Sequence, residues 1–158
     1  MGVMAAREDM GDVFFGPVSA EVNFAHGHTF AMNPLACAVG SAVLDEIVEQ
    51  KLDQRAHLLG EYMTGKLEAL KKYGVVREVR GKGLLRGVEL VKETNTMTPF
   101  PELGHALKRT ALKNGLIMRV DPTWFAVAPA LIATEDQIDE LCALIERSLL
   151  DALEMVGA

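Results

Sequence analysis

Three scarcities narrow what this chain of 158 residues can be. It has two cysteines, Cys37 and Cys142, with no Cys-x-x-Cys spacing, so neither a disulfide framework nor a cysteine-based zinc site can be built from it. Both cysteines lie in strongly apolar helical patterns and read as buried, reduced thiols, which suits a reducing cytosol. No segment reaches the roughly 18 uninterrupted apolar residues a bilayer crossing needs, and no charged start followed by an apolar run marks a secretory leader. A cytoplasmic protein with no membrane partner is expected. Basic residues are neither abundant nor clustered: the net charge is −6 at pH 7, which gives no footprint for nucleic acid. Proline and glycine are not concentrated, and there is no internal repeat or low-complexity tract.

What is present is half apolar and a quarter charged, as in a globular protein. The richest stretch is His26-Gly27-His28-Thr29-Phe30-Ala31-Met32-Asn33-Pro34-Leu35-Ala36-Cys37-Ala38. Asn33 is a good helix N-cap, and Pro34 suits the first helical position, where no amide donor is needed. The residues that follow are apolar on most of the helix circumference, through Val39, Val43, Leu44, Ile47 and Val48. Such a helix is expected to be buried, with the polar loop before it held against a packed interior.

Around this helix, residues 3 to 6 read as a short strand and 11 to 24 as loop. A helix is predicted from a cap at Asp53 to a stop at Gly74, since Leu59, Tyr62, Met63, Leu67 and Leu70 share one face. Residues 75 to 91 read as strand interrupted by Gly81, Gly83 and Gly87, glycines that permit a bulge or close backbone approach. A helix over 103 to 113 closes at Asn114-Gly115. Leu116 to Val120 and Trp124 to Ala128 then form a hairpin, with Asp121 and Pro122 at the first two turn positions. The last helix carries a capping box, Thr134 with Gln137, and an apolar stripe from Ile138 to Val156. The expected fold class is α+β, a small antiparallel sheet with helices packed on it.

Candidate chemistry is sparse. Thr29 offers a hydroxyl and a backbone amide from a tight loop, donors suited to an anion such as phosphate, or simply to local turn groups. His26 and His28 are two apart, but two ligands are too few for a metal site; no metal is expected. Arg119 ends the apolar run Leu116-Ile117-Met118. Its planar fork can grip a carboxylate with two hydrogen bonds; on residue pattern alone it reads as a strand-end arginine paired with Asp121 or another surface acid. One of Trp124 and Phe125 should point into the core, because strand side chains alternate. Lys82, in Arg-Gly-Lys-Gly, has neither Walker spacing nor a following helix, so it fits no phosphate loop.

Four motifs, in order and at matching spacing, resemble class III aminotransferases, fold-type I enzymes that use pyridoxal 5'-phosphate (PLP). They are His26 to Thr29 with Asn33-Pro34-Leu35-Ala36-Cys37-Ala38, Val79-Arg80-Gly81-Lys82-Gly83-Leu84, Asn114-Gly115-Leu116-Ile117-Met118-Arg119, and Ala128-Pro129-Ala130-Leu131-Ile132-Ala133-Thr134-Glu135. Ala130 stands where a second proline is more usual. The resemblance implies a remnant of the PLP-binding large domain over 1–51 and the small C-terminal domain over 52–158. It implies that Thr29, with His28 beside it in the loop, serves the cofactor phosphate across a dimer interface, and that Arg119 receives the substrate carboxylate. Reactants would be an amino acid or amine and an oxo acid, and the assembly a dimer or higher homo-oligomer. In that family the Schiff-base lysine lies upstream of the His-Gly-x-Thr loop, so this chain is expected to be the C-terminal part of an enzyme, with no catalytic residue of its own and no activity alone. The alternative is a separately encoded, non-catalytic dimerisation module derived from such an enzyme.

Overall fold

The computed structural model describes residues 2, 4–17, 20, 22, 24, 26–95 and 97–158. They fall into two compact units, Met1–Ile47 and Val48–Ala158.

In the first unit, helix α1 (Glu8–Asp12) begins with two acids, the favourable sign at a helix N-terminus, and Arg7 pairs with Asp9 at 2.9 Å. The strand expected over 3 to 6 does not form at residues 4–6, and residue 3 lies outside the described residues. A strand needs a neighbour to bond, and this unit has none among its described residues. Helix α2 (Pro34–Glu49) starts where Asn33 and Pro34 dictate. Asn33 Oδ1 accepts from the amides of Leu35 and Ala36, at 3.0 and 3.3 Å. The expectation that α2 is buried is overturned: none of its residues is buried, and Leu35, Val39, Val43, Leu44 and Val48 are all exposed. Cys37 is exposed for the same reason.

The second unit holds one core. Helix α3 (Leu52–Glu68) continues as a 3-10 turn, Ala69–Tyr73, and ends at Gly74 in the left-handed region. Its N-cap is Lys51, not Asp53, which sits in the first turn. Strands β1 (Val76–Lys82) and β2 (Leu85–Leu90) are two arms of a hairpin rather than one interrupted strand. Lys82 opposes Leu85, so Gly83-Leu84 is the turn, and Gly83 supplies its positive φ of 55°. Helix α4 (Pro101–Lys113) leads to β3 (Arg119–Asp121) and β4 (Trp124–Val127), joined through Pro122-Thr123, and α5 (Glu135–Val156) closes the unit with the expected capping box. The sheet runs β1-β2-β4-β3, antiparallel throughout.

Alternation sorts the sheet into two faces. Val88, Leu90, Phe125 and Val127 are buried beneath the helices, in one cluster with Met63, Leu67, Leu103, Leu107, Ile138, Ile145 and Leu149. Gly87, Glu89, Trp124 and Ala126 occupy the other face and are only partly covered. Two helical glycines let the hairpin turns seat closely. A Cβ on Gly60 of α3 would stand 2.1 Å from the Gly83 carbonyl oxygen, and one on Gly104 of α4 would stand 2.1 Å from that of Pro122. α5 is tied to α4 through Thr110, whose hydroxyl donates to the Ser148 carbonyl at 2.7 Å, and Asn114, whose amide donates to Asp151 at 2.9 Å.

Candidate functional site

His28 and Thr29 sit on one loop of the first unit. The His28 carbonyl accepts from the Ala31 amide at 2.9 Å, and the Phe30 carbonyl from Asn33 at 3.3 Å, so two successive turns deliver the loop into α2. Met32, within the second turn, takes a positive φ of 59°. Phe14, Phe24, His26 and His28 form a ladder of rings at 5.3, 5.8 and 5.3 Å. The two imidazoles thus meet edge to face, which shapes the loop. Among the described residues no cluster could hold a metal ion. The Thr29 hydroxyl is exposed and has no partner among the described residues.

Arg119 lies in the second unit, on the open face of the sheet. Its Nε donates to Asp121 Oδ2 at 2.9 Å, and its guanidinium carbon stands 5.0 Å from the centre of the Trp124 ring. The side chain is 70% exposed. Arg119 and Asp121 are two apart on β3, and Asp121 is the direct partner of Trp124 across the hairpin, so the pleat puts all three on one side. Phe125 is the aromatic that enters the core, and Trp124 the one left as a platform. Beside Arg119 runs a shallow apolar groove of about 600 Å³, walled by Leu85, Ile117, Ala126, Pro129 and Leu141.

Three polar arrangements escape local pattern. Arg86 is buried, donating to the Gly81 carbonyl at 2.7 Å and to Glu61 at 2.9 Å, while its Nε has no partner. On the outside of α5, Asp139 accepts from the Tyr62 hydroxyl at 2.7 Å and pairs with Lys66 at 2.9 Å. Seven residues on, Glu146 accepts from Tyr73 and pairs with Lys72, both at 2.7 Å. The Tyr62 bond, then Lys66, holds the Asp139 carboxyl below its ordinary value; Lys72, then Tyr73, does the same for Glu146. Between these clamps lies Cys142, whose thiol is pushed up to about 11 by burial. A thiol that holds its proton is a poor nucleophile. The only sequence signal for the clamps was the seven-residue spacing of Asp139 and Glu146 on one helix face.

The family profile described as aminotransferase class-III matches residues 3–149. The ornithine aminotransferase of Macrococcus caseolyticus is 42% identical over 115 residues, 73% of this chain and 26% of that protein. The human mitochondrial alanine–glyoxylate aminotransferase 2 is 32% identical over 134 residues, 82% of this chain and 26% of that protein. Among solved structures, an (S)-enantioselective omega-transaminase from Thermomicrobium roseum superposes with a TM-score of 0.76 at 33% identity, over 86% of this chain and 31% of its own. The omega transaminase of Pseudomonas jessenii, solved in complex with PMP, gives 0.78 at 30% identity, over 88% and 31%. The chain therefore spans between a quarter and a third of the length of these proteins.

Proposed function

The chain belongs to the class-III aminotransferases, and on that premise we propose that it forms the C-terminal portion of a PLP-dependent transaminase. The parent enzyme moves an amino group between an amino acid or amine and an oxo acid, in the cytosol, as a dimer or larger homo-oligomer. Residues 1–51 belong to its large domain and 52–158 are its small domain. PLP, when bound, acts as the electron sink for the deprotonated substrate, and the protein orients and desolvates the reactants.

The donor set of the first unit fits such a cofactor. The Thr29 hydroxyl has no competing partner among the described residues, and a hydroxyl and amide offered together to a phosphate oxygen are charge-assisted donors. His28 shapes that loop through its carbonyl and its ring. One observation carries the substrate reading. The Arg119 guanidinium is hydrogen-bonded through Nε alone, which leaves both Nη groups without a hydrogen-bond partner among the described residues. That end-on edge can take a carboxylate with two parallel hydrogen bonds.

None of the eight lysines stands at the family's Schiff-base position, so the chain alone neither holds PLP covalently nor transaminates. Incubation with PLP, borohydride reduction and peptide mapping should find no stoichiometrically labelled lysine; one such lysine together with turnover refutes the reading. With a lysine-bearing large domain joined to it, Arg119→Ala removes charge-assisted bonds of about 1.5–3 kcal/mol and lowers kcat/KM for carboxylate substrates about ten- to 150-fold. An amine lacking a carboxylate should be turned over as before. Equal loss for both substrate types makes Arg119 structural.

A further inference from the structure

We propose that Asp121 and Trp124 are positioning residues that hold the Arg119 guanidinium with its Nη edge presented to a substrate carboxylate. This rests on the reading of Arg119 as the carboxylate receiver. A guanidinium offers five N–H donors in one plane. Asp121 takes the Nε–H at 2.9 Å and the indole of Trp124 lies 5.0 Å from the guanidinium carbon, while neither Nη has a hydrogen-bond partner among the described residues. A carboxylate on the side edge and an aromatic face together restrict the two rotations that otherwise let a long arginine wander. What remains is a single open edge of fixed direction. An unheld arginine surrenders that rotamer freedom only when ligand arrives, which weakens binding.

The backbone supports the same assignment. Asp121 and Trp124 are register partners flanking the two-residue turn Pro122-Thr123, so their mutual placement is set by hairpin geometry rather than by side-chain choice. That turn is in turn seated on the bare Cα of Gly104, where the nearest backbone oxygens leave no room for a methyl. The holder of Arg119 is therefore fixed to helix α4, not to a free loop. Asp121 is half-buried while Arg119 is exposed, the order expected if the acid anchors and the arginine receives.

The test uses this chain, labelled with 15N, and sodium propionate as the carboxylate probe, with propylammonium chloride as the amine control at matched ionic strength. Side-chain Nε–H signals of arginine and the signals of Trp124, the single tryptophan, report the site directly, and amide dispersion reports folding. Propionate should shift Arg119 and Trp124 saturably, and propylammonium should not. Asp121→Ala should raise the propionate Kd about two- to fivefold, the range of an exposed ion pair, and shift Trp124 emission as the guanidinium leaves the ring. Trp124→Leu should weaken binding too, and Asp121→Asn, which keeps an acceptor oxygen, should fall between. If Asp121→Ala and Trp124→Leu bind propionate as tightly as the parent while Arg119→Ala abolishes binding, positioning is wrong and the receiver stands. If Arg119→Ala binds propionate unchanged, or the parent shows no saturable shift, the receiver reading fails and takes the proposal with it.

Discussion

Gly104→Ala sets two effects of known sign against each other. In a helix interior, alanine is favoured over glycine by about 0.8–1 kcal/mol, because glycine loses more backbone freedom on folding. At Gly104, however, the new Cβ would lie 2.1 Å from Pro122 O, 2.5 Å from Pro122 C and 2.8 Å from Asp121 O. All three are backbone atoms of a two-residue turn, so no flexible side chain can yield; the turn or the helix must retreat until the contact reaches 3.4 Å. Overpacking of this kind costs about 1–3 kcal/mol and occasionally more, so a net loss of up to about 2 kcal/mol is expected once the propensity gain is subtracted. For a unit of this size each kcal/mol shifts Tm by roughly 4 °C. Trp124 fluorescence follows the melt from within the affected hairpin. Gly65, also in a helix but with nothing within 4 Å of its Cβ position, is the internal control. Gly65→Ala should raise Tm by the bare propensity gain. Equal behaviour of the two variants, or a Gly104→Ala Tm at or above the parent's, would refute the close seating of the turn.

Asp139 and Glu146 hold their protons less tightly folded than unfolded. Their contribution is therefore complete above the ordinary carboxylate value of about 4 and lost as pH falls through the depressed folded values. Tm measured from pH 6 downward should fall more steeply for the parent than for Asp139→Asn with Glu146→Gln; parallel slopes would show that the clamps add nothing. The exposed apolar side of α2 leads us to expect self-association, visible by light scattering at micromolar concentration. A monomer that binds no hydrophobic dye would contradict it.

Elements whose ends are written in adjacent residues were legible in the sequence. Asn33-Pro34 starts α2, Asn114-Gly115 ends α4, Asp121-Pro122 turns the second hairpin, and Thr134 with Gln137 caps α5. The first hairpin was not, because Gly81, Gly83 and Gly87 all offer a break, and only the pairing of Lys82 with Leu85 selects Gly83. Asp53 resembled a cap, yet the helix begins one residue earlier, after Lys51 enters the left-handed region at φ 51°. α2 and Cys37 are exposed although their pattern is apolar, because such a pattern states a demand for cover, not where cover comes from. At the candidate site, Arg119 and Thr29 stand out by position in sequence. The Tyr62 and Tyr73 clamps do not, since their partners are 77 and 73 residues away and no local periodicity encodes such pairs.

The order in which the core is assembled bears on how the protein is made. Ile138, Cys142, Ile145, Leu149, Ala152 and Leu153 all enter the core from α5, which leaves the ribosome after α3, both hairpins and α4. Until then, α3 and α4, which cover the hairpins, carry apolar faces with nothing over them, and among the described residues the outer strands β1 and β3 present unpaired backbone edges. Synthesis at about 5–20 residues per second leaves that nascent surface exposed for seconds. Slowing translation before α5 should therefore lower soluble yield, and a holdase chaperone should bind the nascent chain in that interval and release it once α5 docks.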